Sequence, residues 1–280
     1  MYTRYDKSSN ILTEDTGAGP TAALWKRFPI QAIIQDPSLG VYFFDDFHDL
    51  PAHGDTSGAA VSGALGRYSH YIYTGGAIAD GNTTGGVGGV AKFSSDGDNE
   101  GAAIGPLVGG FNLATTLGSF LYEARVKSST ITDTKHGFFA GLIAGGLIAA
   151  GVPIATDGTL YDTNFIGFHR LEGDGDMLDV VWKADGQTQQ SLITDAITLV
   201  ADTWVKIGIL YDKQEDDSHK LTFFKNGVPL TTYGTATQMD AATFPDDIAL
   251  GLTFAVLNAT GSTPGNSSID WHRAVQLRIT

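Results

Sequence analysis

From residue 41 onward the sequence breaks repeatedly into short, alternating, β-favouring stretches separated by turn residues, and no helical period lasts long enough to interrupt them. "FLYEARVK" is the cleanest stretch. It sets Leu121, Glu123, Arg125 and Lys127 on one face and Phe120, Tyr122, Ala124 and Val126 on the other. "RYSHYIYTG" alternates Tyr68, His70 and Ile72 against Ser69, Tyr71 and Tyr73. "VYFFDDF", "NFIGFHRL", "MLDVVWKA", "QTQQSLI", "TWVKIGILYD", "IALGLTFAVLN" and "SIDWHRAVQLRIT" read as further strands. Asn226-Gly227 inside "LTFFKNGVPL" predicts a tight hairpin turn, and the charged "KQEDDSHK" predicts a solvated tip. Residues 75 to 112 are glycine-rich and predict loops with short strands. Many strands with short loops and no α/β alternation point to an all-β, two-sheet antiparallel sandwich over residues 41–280.

Residues 1–40 differ. They contain Pro20, Pro29 and Pro37 and hold no period for long, although "TAALWKRF" can make a helical turn or two with Thr21 as N-cap. This N-terminal arm carries Leu24, Trp25, Phe28, Ile30 and Ile33, which must bury somewhere. They are expected to anchor the chain on a partner or sister subunit. The competing reading packs them on the chain's own sandwich.

One stretch raises the question of a membrane span. "FFAGLIAGGLIAAGVPIA", residues 138–155, has no charge. A spanning helix needs about 20 apolar residues. The flanks carry no aromatic belt or Lys/Arg cluster, Gly151 and Pro153 weaken the last turn, and strand patterns continue on both sides. The expectation is a buried strand, His136 to Leu142, followed by an apolar loop, with no membrane contact.

Composition narrows the partners. Lys and Arg number 17 against 31 Asp and Glu, a net charge of −14, which argues against nucleic acid and anionic lipid. With no cysteine, disulfides and thiolate metal sites are excluded. The opening "MYTRYDKSSNILTEDTG" has no apolar run of the kind a secretory signal needs. Asp96, Asp98 and Glu100, and separately Asp174 and Asp176, offer clustered oxygen ligands, but neither group fits the calcium-loop pattern with its glycine and closing glutamate. No metal or cofactor is expected.

"FLYEARVK", "GFFAGL", "NFIGFHRLEGDGDMLDVVWKADGQTQ", "ADTWVKIGILYD", "LTFFKNGV", "ATFPDD" and "IDWHRAVQL" follow one another in an order and spacing that extend from Phe120 to Leu277. That run resembles a group of tailed-phage virion structural proteins with a concanavalin A-like lectin/glucanase jelly roll. The apolar "IAGGLIAAGVPIA" departs from the more polar, helical loop of that group. The resemblance implies a capsid decoration protein on the particle surface, assembled in the host cytoplasm, with the major capsid protein or other virion proteins as partners and a homo-oligomeric state. The alternative on the same fold is a carbohydrate-binding module or tail adhesin. For it, Tyr68, Tyr71 and Tyr73 are the candidate exposed aromatic face, while Trp182, Trp204 and Trp271 sit in apolar strand contexts that read as core.

The same fold class also hosts glycoside hydrolases, whose usual motif is Glu-x-Asp-x-x-Glu on one strand. The nearest match, "EGDGDMLD", places Met177 where the second glutamate belongs, so no enzyme is expected.

Overall fold

In a computed structural model, the described residues are 14–48, 53–54, 61–65, 67–73, 75–81, 89–95, 97, 100–106, 108–114, 117–132, 136–145, 153–154, 160–170, 175–213, 220–258 and 265–278. Two antiparallel sheets face one another. The first runs, edge to edge, β15 (Val228–Gly234), β14 (Leu221–Lys225), β13 (Val205–Tyr211), β8 (Phe120–Ser128), β17 (Asn266–Leu277), β6 (Ala91–Ser95), β5 (Gly76–Asp80) and β2 (His53–Gly54). Strand β1 (Gly40–Asp45) pairs with the C-terminal half of β17, next to β6 on the same side of that long strand. The second sheet runs β12 (Gln190–Thr198), β11 (Met177–Lys183), β10 (Phe165–Arg170), β9 (Gly137–Ala144), β16 (Leu250–Leu257), β7 (Gly101–Pro106), β4 (Tyr68–Ile72) and β3 (Val61–Leu65). The result is the two-sheet antiparallel sandwich that the strand pattern predicts, in the jelly-roll form that the resemblance implies.

Alternation builds the core. Phe120, Tyr122, Ala124 and Val126 of β8 meet Phe138, Ala140 and Leu142 of β9, Ile166 and Phe168 of β10, and Leu252, Phe254 and Val256 of β16. Each fully buried side chain of this kind contributes about 1.5–3 kcal/mol by leaving water. Asn226 and Gly227 both take positive φ (47° and 79°), the geometry of the tight turn expected between β14 and β15. The glycine-rich 75–112 region supplies β5, β6 and β7, one or two strands to each sheet.

The arm folds back on its own chain. Two short helices, α1 (Ala22–Trp25) and α2 (Ile30–Gln35), and the turn between them lay Leu24, Trp25, Phe28 and Ile33 against Leu121, Leu210, Phe224 and Val275 on the outer face of the first sheet. Ile30 is half-buried in the same cluster. Polar contacts pin the strap between and beside them. Thr21 N–H and the Trp25 indole N–H both donate to Glu123 Oε2, at 3.0 and 2.6 Å. Trp271 Nε1–H donates to Ala18 O at 2.7 Å, Lys206 Nζ reaches Gly19 O and Asp15, and Arg27 pairs with Asp212. The partner-anchor role expected of Leu24, Trp25, Phe28, Ile30 and Ile33 is therefore corrected. The Leu121 and Val275 side of the first sheet is itself apolar, so it takes these residues first. Thr21 does stand at the N-cap of α1, but its side chain makes no capping bond.

A third short helix, α3 (Ala236–Met239), opens with a full capping box between Thr235 and Gln238.

Candidate functional site

The outer face of the second sheet is unusual because it too is apolar. A single row crosses it, one residue per strand: Tyr71, Ala103, Ala255, Phe139, His169 and Asp179. The next row toward the other end contains Thr253, Gly141, Gly167, Val181 and Ser191. Gly167 leaves room for the Phe139 ring, since a Cβ there would sit 2.8 Å from it, and Gly141 lets the β10 backbone approach, since a Cβ there would sit 2.3 Å from Ile166 O. Phe139, Ile143, Phe165, Val181, Ala255 and Leu257 form a second buried cluster on this side.

The apolar stretch that suggested a membrane now has a place. Its first part is β9, buried on both faces, and extends two residues past the predicted Leu142. The chain then returns so that Ile154 packs on the outer cluster and bridges Leu160. Residues 146–152 and 155 lie outside the described ones. No helix among the described residues is long and apolar enough to cross a membrane.

At the β4 end of this face three tyrosines converge. The Tyr71 and Tyr73 rings stand 5.9 Å apart at 54°, half-buried beside the outer cluster. Tyr161 follows Leu160 out of the loop, held by its N–H to Pro153 O at 3.0 Å, and is 44% exposed. Burial, and then the neighbouring Tyr73 and Tyr161 phenols, push the Tyr71 hydroxyl above its ordinary range. Polar groups follow directly in the chain. Asp162 pairs with Lys183 at 2.7 Å and accepts Gly186 N–H, which holds its carboxyl below the usual range, and Asn164 accepts Asp185 N–H.

Tyr68, grouped with Tyr71 and Tyr73 as an exposed aromatic, faces the other way. The two-residue period of β4 turns it inward, where it is buried. There its hydroxyl donates to Asp45 Oδ2 at 2.9 Å and meets His272 Nε2 at 2.6 Å. Tyr161 is the residue that the sequence reading missed. Nothing in a lone loop tyrosine signals its neighbours; they are set by the Ile154–Leu160 bridge.

The face can also be tested for hydrolysis. A retaining glycosidase needs two carboxyl groups about 5 Å apart. Among the described residues of the two rows the single carboxylate is Asp179, which accepts the Asp195 N–H at 2.9 Å beside a register shift between β11 and β12. Glu172 and Asp174 lie outside the described residues, as do the calcium candidates Asp96 and Asp98. The remaining candidates, Glu100 and Asp176, belong to no cluster of three or more metal-ligating side chains among the described residues. The tryptophans read as core divide. Trp182 and Trp271 are buried, whereas Trp204 is half-buried beneath Arg125 and Lys127, whose charges stand 4.6 and 5.0 Å from its ring centre.

No family model matches this sequence, and no curated protein matches it. Solved structures do. A protein of unknown function from Shewanella oneidensis MR-1 superimposes with a TM-score of 0.53 at 15% identity, over 90% of this chain and 95% of that one. The carbohydrate recognition domain of Emp47p gives 0.49 at 12% identity, over 87% and 99%. An endo-1,3-β-glucanase from Streptomyces sioyaensis gives 0.48 at 14%, over 85% and 96%. The fold shared with the first of these is a two-sheet antiparallel jelly roll. Likeness at these identities concerns fold alone.

Proposed function

We propose that this jelly roll is a non-catalytic carbohydrate-binding protein whose platform is Tyr71, Tyr73 and Tyr161. The observation that carries this reading is the convergence of two half-buried rings and one exposed ring at the edge of a packed apolar face. Sugar rings present an apolar side that stacks on aromatic rings and hydroxyls that need polar partners. Asp162, next to Tyr161 in the chain, and its partner Lys183 supply an acceptor and a donor of that kind.

The sequence resemblance also allows a capsid decoration protein. That reading is less well served, because the arm residues that would grip a capsid lattice already cover Leu121 and Val275. A virion-surface setting fits a glycan-binding role as well, with the sugar on a host surface.

A glycan array followed by calorimetry tests the proposal. Saturable binding to an oligosaccharide, lost in Tyr71→Ala and Tyr161→Ala and unaccompanied by new reducing ends, is the expected result. Release of reducing ends that persists in a purified, monodisperse sample would overturn the non-catalytic half. No binding to any β- or α-linked glycan would overturn the rest.

A further inference from the structure

The two sheets do not close completely where β1 approaches β4, β7 and β16. A cavity of about 270 Å³ opens there. Its floor is core: Tyr68, Phe111 and Leu252 are all buried. Its wall includes Val41 and Phe43, and its mouth carries Val108, which is 82% exposed. An isolated apolar side chain that exposed, at the lip of an apolar opening, lacks the covering that its neighbours have.

One cation stands in the lining. Arg67 lies 5.7 Å from the centre of the Phe43 ring, and its Nη1–H donates to Phe44 O at 3.3 Å. Those contacts orient the guanidinium while engaging one of its five N–H groups. Asp45, the carboxylate that Tyr68 touches, already accepts the Tyr68 hydroxyl and the Phe47 N–H. In a chain of net charge −14, affinity for an anion must come from a local group such as this one.

Size sets the class of ligand. A dry apolar cavity of about 150 Å³ takes a benzene ring, roughly 25 Å³ per non-hydrogen atom. On that scale the opening accommodates about eleven such atoms. We infer that the opening lined by Val41, Phe43, Tyr68, Val108, Phe111 and Leu252 binds a medium-chain monocarboxylate, with the chain inside and the carboxylate on Arg67. This site lies on the inner side of β4, opposite the tyrosine platform, and does not depend on the glycan reading.

Gly110 provides a clean block. It lines the opening, and a Cβ added there meets nothing within 4 Å, so a larger side chain at the opening is accommodated without displacing the wall. The experiment titrates the full chain with decanoate and, separately, decanol, following methyl resonances of Val108 and Leu252. Decanoate should bind saturably with a Kd below about 1 mM, and decanol about tenfold more weakly. Arg67→Gln should remove that difference, and Gly110→Leu should abolish both with an unchanged melting curve. If Gly110→Leu fails to fold, Val108→Asp puts a repelling charge at the exposed lip and should weaken decanoate more than decanol. Absence of saturable shifts at these methyls would overturn the site. So would unimpaired binding of decanoate both to folded Gly110→Leu and to Val108→Asp. Equal affinity of the intact chain for decanol and decanoate would overturn the role of Arg67.

Discussion

Glu123 accepts the indole N–H of Trp25 at 2.6 Å, and that bond joins the N-terminal arm to the middle of the first sheet. The carboxylate sits on β8, two residues from Leu121 on the same face, so the arm meets an acceptor and an apolar seat together. Trp25 also stacks with the Arg273 guanidinium at 4.0 Å. The arm is part of the fold and not an appendage.

Truncating Trp25 therefore should act on stability. Trp25→Ala removes a buried ring and one of the two donors to Glu123, and is expected to cost about 3–5 kcal/mol. Trp25→Phe keeps most of the ring and loses the N–H, at about 1–3 kcal/mol. Urea unfolding measures both. A Trp25→Ala variant within experimental error of the parent would show that the arm is not docked in solution.

How much of this was legible depends on what each strand faces. β8 has one face on the core and one under the arm, and its alternation read correctly residue by residue. β9 is buried on both faces, so "GFFAGLIA" has no polar beat, and composition could not tell it from a membrane segment. The arm's apolar residues were visible, but their seat was not. Leu121, Leu210, Phe224 and Val275 lie on four different strands and converge only once the sheet has formed. Tyr68 illustrates the reverse: strict alternation already separated it from Tyr71 and Tyr73, and grouping the three as one surface ignored that period.

The Glu123 carboxyl makes the arm's stability depend on pH. Burial raises its pKa, outweighing the Thr21 and Trp25 donors and the Lys206 charge. A raised carboxylic pKa adds stability that is fully present below the unfolded value, about 4.3, and is lost as pH rises through the folded value. Glu123→Gln keeps an acceptor for Trp25 and removes the buried charge. The variant should gain stability over the parent at pH 7 and little at pH 4, in paired denaturant titrations. A loss at pH 7 would mean that Lys206 and the two donors hold the carboxylate charged.

Two buried histidines act in the opposite direction. His136 donates from Nδ1 to Asn258 Oδ1 and accepts from Ser267 Oγ at Nε2, both at 2.7 Å, and burial pushes it down to about 4. His272, beside Tyr68, is pushed down to about 3 by burial. A depressed histidine pKa leaves stability intact above the unfolded value, about 6.5, and removes it as pH falls through the folded one. At roughly 1.4 kcal/mol per pH unit, His136 then accounts for about 3 kcal/mol of acid sensitivity and His272 for about 5 kcal/mol. His136→Gln should flatten the decline in unfolding free energy between pH 6.5 and 4, at some cost at neutral pH. An unchanged slope would show that His136 is protonated in the fold.

The tyrosines separate binding from stability most sharply. Tyr71 and Tyr161 lie on the outer face of the second sheet, whereas Tyr68, three residues before Tyr71, closes the inner chain Asp45–Tyr68–His272. An aromatic platform loses about tenfold in affinity for each 1.4 kcal/mol of stacking removed. Tyr161→Ala, in the exposed loop, should therefore weaken a glycan about tenfold or more with little change in melting temperature. Tyr71→Ala should weaken it similarly and destabilise modestly, because its ring also covers the outer cluster. Tyr68→Phe should do the reverse: no change in glycan affinity, and a loss of about 1–3 kcal/mol from the half-buried Asp45 and the buried His272 left without their bridging hydroxyl. Calorimetry on the three variants reads affinity, and thermal melts read stability. If Tyr68→Phe weakens the glycan as much as Tyr161→Ala does, the ligand enters between the sheets and the outer-face platform is wrong.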